Sequence, residues 1–177
     1  WWALDFPFMR RYSAAYLAKH PQMRGKDLEA TRRACEKFRQ IPTSVMNFVE
    51  GTRFTPAKHS ALDSPYRNLL PPRAGGVAFV LSAMGGMLHS MLDVTIAYRQ
   101  QTPTLWDLCC GRLDPVAMDV RVRPVEPWTS DGDYMGDPAF RARFQDWLAG
   151  LWRQKDELLT ELLGPAGWPA DFRPLDF

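Results

Sequence analysis

The sequence predicts an α/β domain, a mixed sheet flanked by helices, and four stretches carry that expectation. "DLEATRRACEKFR" (27–39) reads as an amphipathic helix, and the apolar "VMNFV" (45–49) that follows closely reads as a buried strand. Helix joined to strand by a short link is a mark of layered α/β packing. "PVAMDVRVRP" sets Val116, Met118, Val120 and Val122 against Ala117, Asp119, Arg121 and Arg123, a strand with one dry face and one charged face. The run 138–163 carries an apolar stripe at helical spacing, with charge on its other side.

Taken in order, the first helix has Asp27 as its N-cap, with Leu28, Thr31, Cys35 and Phe38 on one face. Pro42 closes it before the strand. A polar loop, "FTPAKHSALDSPYRN", leads to "LLPPRAGGVAFVLSAM". There Pro71-Pro72 excludes helix interior, and Gly75-Gly76 frees the backbone just before an apolar helical segment. Residues 74–92 hold no formally charged side chain over a length close to a membrane span. Two Gly-Gly pairs, His89 and the immediate Asp93 favour a helix and then a strand, divided at Gly85-Gly86. The strand continues through Leu92, Val94, Ile96 and Tyr98. Asp137-Pro138 is an N-cap followed by proline at the first helical position, and Phe140, Phe144, Trp147, Leu151, Leu158 and Leu162 make the apolar stripe of the last helix. Residues 164–177 read as an irregular Pro-rich tail.

The charge balance, 22 Lys and Arg against 20 Asp and Glu, gives no electrostatic argument for nucleic acid. Cys35, Cys109 and Cys110 form neither a CxxC motif nor an even-numbered framework, so a reduced, cytosol-facing domain is expected. The vicinal pair reads as two small apolar residues in a loop. No metal-ligating cluster or dinucleotide fingerprint stands out in the sequence. The chain opens Trp1-Trp2 with no Met, no basic leader and no cleavage site; the expectation is a segment whose upstream part is missing, with the apolar "WWALDFPFM" (1–9) as the surface on which that part packs.

The chemistry concentrates at "MNFVEGTRF". A buried strand that ends in Glu50-Gly51-Thr52-Arg53 places four functional groups at the carboxyl edge of a sheet, where open α/β sheets bind ligands. Gly51 permits a tight turn, Thr52 offers a hydroxyl, and Arg53 a planar fork suited to phosphate. Glu50 can orient Arg53 or accept from a hydroxyl of the ligand. From spacing alone, a surface salt bridge at a turn is the plainer reading.

With its flanks, "NFVEGTRF" resembles the third sequence block of the glycerolipid acyltransferases, the lysophosphatidic acid acyltransferase family. "LDFPFMRRYS" looks like that family's second block, in which an apolar run ends in Arg before an aromatic; Arg11 matches that Arg best, with Arg10 as its register neighbour. "LLPPRAGG" resembles the fourth block through Arg73 and Gly75, and "MLDVTIAY" and "FQDWLAGLWRQKDELL" look like the bacterial inner-membrane branch. The resemblance covers essentially the whole chain. It implies transfer of a fatty acyl group from acyl-CoA or acyl carrier protein to the free hydroxyl of a lysophospholipid, with no further cofactor. It also implies that Arg11, Glu50, Gly51, Thr52 and Arg53 hold the acceptor's phosphate, with Arg10, Arg73 and Gly75 as secondary positions. The expected setting is the cytosolic face of the inner membrane, anchored through the missing upstream segment, with the membrane surface as partner.

The family's base is a His followed after four residues by Asp, and no His in this chain has that partner. His20 meets Gly25 at that spacing. His59 and His89 meet Asp63 and Asp93 one residue too early, and both lie downstream of the third block. In a strand, His89 and Asp93 would stand roughly 13 Å apart. Residues 1–163 are therefore read as the C-terminal two-thirds of an acyltransferase domain, holding the acceptor site without the dyad and inactive alone. Two other readings use the same residues: a non-catalytic module that binds lysophospholipid phosphate, and an amphipathic membrane-surface protein with no phosphate site.

Overall fold

The computed structural model describes residues 36, 43–98, 104–112 and 116–164. It combines helices with one two-stranded antiparallel sheet and divides into two compact units. The helices are α1 (Pro56–Ala61), α2 (Ala74–Met84), α3 (Leu105–Cys109) and α4 (Pro138–Leu163), and the strands are β1 (Ser90–Tyr98) and β2 (Val116–Pro124). The sheet among the described residues is thus antiparallel only, narrower than the expected mixed sheet. The expected helix over 27–39 lies outside the described residues apart from Glu36, as does the tail beyond Gly164.

Of the described residues, the first unit takes in those up to Val49, then Arg73–His89 and Val125–Gln145. Its centre is α2, which buries Val77, Ala78, Leu81 and Met84 along one face. The helix stops at Gly85, whose φ of 54° sits in the left-handed region that glycine reaches most easily. One 3-10 turn (Gly85–Met87) follows, so the apolar run 74–92 divides into helix and strand where its glycines indicate. No helix among the described residues is long and apolar enough to cross a membrane. Asp137 caps α4 as expected: its Oδ1 accepts from the N–H groups of Ala139 (2.8 Å) and Phe140 (3.1 Å). Phe144 is fully buried against Trp128, Tyr134 and Phe140, and the Arg143 guanidinium lies 4.1 Å from the Trp128 ring centre.

The strand expected over 45–49 does not form. Residues 43–48 are irregular, with Met46 and Phe48 81% and 79% exposed. A strand needs a neighbouring backbone to satisfy its N–H and C=O groups, and among the described residues Val49 alone of 45–49 has such a bond, its carbonyl accepting from the Arg73 N–H at 2.8 Å.

The second unit comprises the described residues of Glu50–Pro72, of Ser90–Pro124 and of the chain from Asp146. β1 and β2 pair from Ser90↔Pro124 to Tyr98↔Val116. Their alternation is as read from the sequence, but its sense is inverted. The apolar pairs Leu92↔Val122, Val94↔Val120 and Ile96↔Met118 are exposed, while Thr95, Ala97 and Ala117 are buried. The charged face is the inward one because α4 supplies its partners. Lys155 Nζ reaches Asp93 Oδ1 (2.5 Å), the Val94 carbonyl (2.7 Å) and Thr95 Oγ1 (3.1 Å), and Arg123 donates to Gln154 Oε1 (3.0 Å). In this unit α4 buries Leu148, Trp152 and Leu159, a stripe rotated by one position from Trp147, Leu151 and Leu158, which are half-buried. Cys109 ends α3 and Cys110 caps it; both are exposed free thiols rather than packed loop residues.

Candidate functional site

Glu50, Gly51, Thr52 and Arg53 all belong to the second unit, where they form a turn leading into α1. Gly51 has φ 69°, a conformation in which a β-carbon would crowd the following carbonyl. Its glycine is therefore what lets the chain reverse here. Thr55 caps α1 through its side chain, which accepts from the Lys58 N–H at 3.2 Å, and Pro56 opens the helix. Side chains in a helix lean toward its N-terminus, so Lys58, in the first turn, reaches back over the preceding residues. Its ammonium donates to Thr52 Oγ1 at 2.6 Å and to the Arg53 carbonyl at 3.2 Å. Thr52 is half-buried and Arg53 exposed. The arrangement brings the Thr52 hydroxyl and the Lys58 ammonium together at an exposed turn, with Arg53 the next residue in the chain.

Glu50 faces the other way. Burial pushes its carboxyl above the usual value, opposed by the Leu70 backbone N–H and by the positive charge of Lys155. Leu70 is itself wholly buried, and its carbonyl accepts from Trp152 Nε1 at 2.9 Å. Asp156 fastens the same loop, its two carboxylate oxygens taking the backbone N–H groups of Arg67 (2.8 Å) and Asn68 (2.7 Å). Glu50 thus sits on the α4 side of the turn, while Thr52 and Arg53 remain on the accessible side.

Of the other candidate positions, Arg10 and Arg11 lie outside the described residues. Arg73 and Gly75 are in the first unit: Arg73 is the exposed N-cap of α2, and Gly75 follows in its first turn beside the Tyr134 ring. His59 gives its Nε2–H to the Tyr66 carbonyl (2.6 Å) and tilts against Phe54, a structural placement. Asp93 spends its oxygens on Lys155 and Arg123. His20 lies outside the described residues.

Lys58, Trp152, Lys155 and Asp156 were not singled out by sequence. Lys58 had a local signal, since "TPAK" sets a cap, a helix-opening proline and a backward-leaning lysine in the first turn. The other three act across about 60 to 90 residues of chain, where no local pattern reports contact. The chain matches no model of a known protein family, no curated protein and no solved structure.

Proposed function

We propose that this chain carries the acceptor-binding part of a glycerolipid acyltransferase, in a fold of that family's type. The reaction moves a fatty acyl group from the thioester of acyl-CoA or acyl carrier protein to the free hydroxyl of a lysophospholipid of the 1-acylglycerol 3-phosphate type. The supporting observation is the turn at Gly51, where the Lys58 ammonium bonds the Thr52 hydroxyl and the backbone carbonyl of the next residue, the exposed Arg53. Such a grouping suits a phosphate monoester, whose oxygens accept from charged donors more strongly than from neutral ones. Holding the phosphate fixes the glycerol hydroxyl for attack on the thioester.

The proton of that hydroxyl needs a base. His59 is committed to Tyr66, and no His-x4-Asp occurs in these 177 residues, so the chain by itself is expected to bind acceptor without turning it over. The acceptor and product are lipids, which places the work at a membrane surface; the bacterial inner membrane, on its cytosolic side, is the proposed location. The test is binding of lysophosphatidate and of monoacylglycerol, which lacks the phosphate, to the wild type and to Arg53→Ala. Selective binding of the phosphate lipid, lost in the variant, supports the reading. Equal binding of the two lipids by the wild type contradicts it.

A further inference from the structure

We propose that Lys58 is a second cation of this phosphate site, donating to one acceptor oxygen beside Arg53 and leaving the Thr52 hydroxyl to donate to another. The inference rests on the acceptor-phosphate reading above.

An ammonium carries three N–H donors. Lys58 uses one on Thr52 Oγ1 and one on the Arg53 carbonyl, which leaves a third. Both partners are neutral, and among the described residues no carboxylate pairs with Lys58. Among the described residues its charge is therefore uncompensated, at the turn that carries Arg53. The bond to Thr52 has a second effect. A hydroxyl has one donor and two acceptor lone pairs, so accepting from Lys58 leaves its O–H to donate. Thr52 O–H and the third N–H of Lys58 then offer donors to two oxygens of a phosphate monoester, and the exposed guanidinium of neighbouring Arg53 is of the type that takes a third.

The lysine is also held in place. Its own N–H goes to the Thr55 cap, its carbonyl accepts from the Leu62 N–H at 3.0 Å, and the next residue, His59, is pinned to Tyr66. The ammonium thus starts from a fixed backbone, and less side-chain freedom is lost when an anion arrives.

Two variants separate a charge role from a clamp role. Lys58→Gln keeps a side-chain donor for Thr52 but removes the charge, while Lys58→Arg keeps the charge. The probes are lysophosphatidate below its micelle concentration and monoacylglycerol, with thermal unfolding monitored in parallel. The expected result is that Lys58→Gln weakens lysophosphatidate binding about tenfold or more, since a charged hydrogen bond is replaced by a neutral one. Lys58→Arg recovers most of that loss, and monoacylglycerol binding does not change. Lysophosphatidate binding by Lys58→Gln equal to wild type overturns the inference and leaves the Arg53 site standing. A wild type without preference for the phosphate lipid overturns both. If Lys58→Gln unfolds, Lys58→Arg decides: folded but unable to bind lysophosphatidate, it too overturns the inference, and folded with near-wild-type binding it supports it.

Discussion

Lys155 and Asp93 meet with Nζ 2.5 Å from Oδ1, in a setting where their side chains are only 10% and 12% exposed. The other Asp93 oxygen takes Arg123 Nε at 3.0 Å. This cluster fixes which face of the β1–β2 pair turns inward, and the field of Lys155 extends to Glu50 at the candidate site. Lys155→Met leaves Asp93 with a single partner in a nearly dry position. It is expected to lower stability by about 3 kcal/mol, read from urea unfolding. An unchanged midpoint would show that the cluster is solvated and carries little.

Trp152→Phe keeps an aromatic six-membered ring but deletes the pyrrole part of the indole and with it the Nε1–H donor. The Leu70 carbonyl, wholly buried, then lacks its Nε1–H partner, and the expected cost is about 1–3 kcal/mol. Loss of that tether also loosens the segment that carries the Leu70 N–H to Glu50. Faster hydrogen exchange at residues 66–70 checks this, and unaltered exchange there would contradict it.

Glu50 gives a pH signature of definite sign. Folding raises its carboxyl above the ordinary value of 4.5, so the folded protein holds that proton more tightly than the unfolded chain does. Its stabilising contribution is present in full below pH 4.5 and is lost as pH rises through the raised folded value. Glu50→Gln is expected to flatten the stability profile in the window just above pH 4.5, relative to wild type. Parallel profiles for the two proteins would show that Glu50 titrates as an ordinary surface carboxyl.

Gly51→Ala puts a β-carbon on a residue at φ 69° and is expected to cost about 1–2 kcal/mol. Because the strain falls on the turn itself, the variant should also lose selectivity for phosphate-bearing lipid. Stability equal to wild type would place the turn's rigidity elsewhere.

What the sequence made legible was local. The Asp137 cap, the break at Gly85 and the alternation of 116–123 each depend on residues a few positions apart, and all three are found. The inside and outside of the sheet were misread because alternation marks two faces without saying which one meets a partner. Here Lys155, Gln154 and Arg123 satisfy the charged face, and Leu92 and Val122 are left 63% and 71% exposed. The strand over 45–49 was misread for a related reason: apolar composition gives a segment the means to be buried, and pairing depends on a neighbour that composition cannot supply. At the candidate site, Gly51, Thr52 and Arg53 could be named from the motif. Lys58 emerges only once α1 is seen to begin at Pro56 and send its lysine back over the turn.

Phosphate recognition at the Thr52–Arg53 turn is the proposal on which the others rest. Calorimetric titration of lysophosphatidate into the wild-type chain and into Arg53→Ala, with monoacylglycerol as the control, tests it most directly. The expected result is saturable binding by the wild type that weakens about tenfold or more in Arg53→Ala, while the control lipid gives the same response with both proteins. Equal affinity of the two proteins for lysophosphatidate would contradict it.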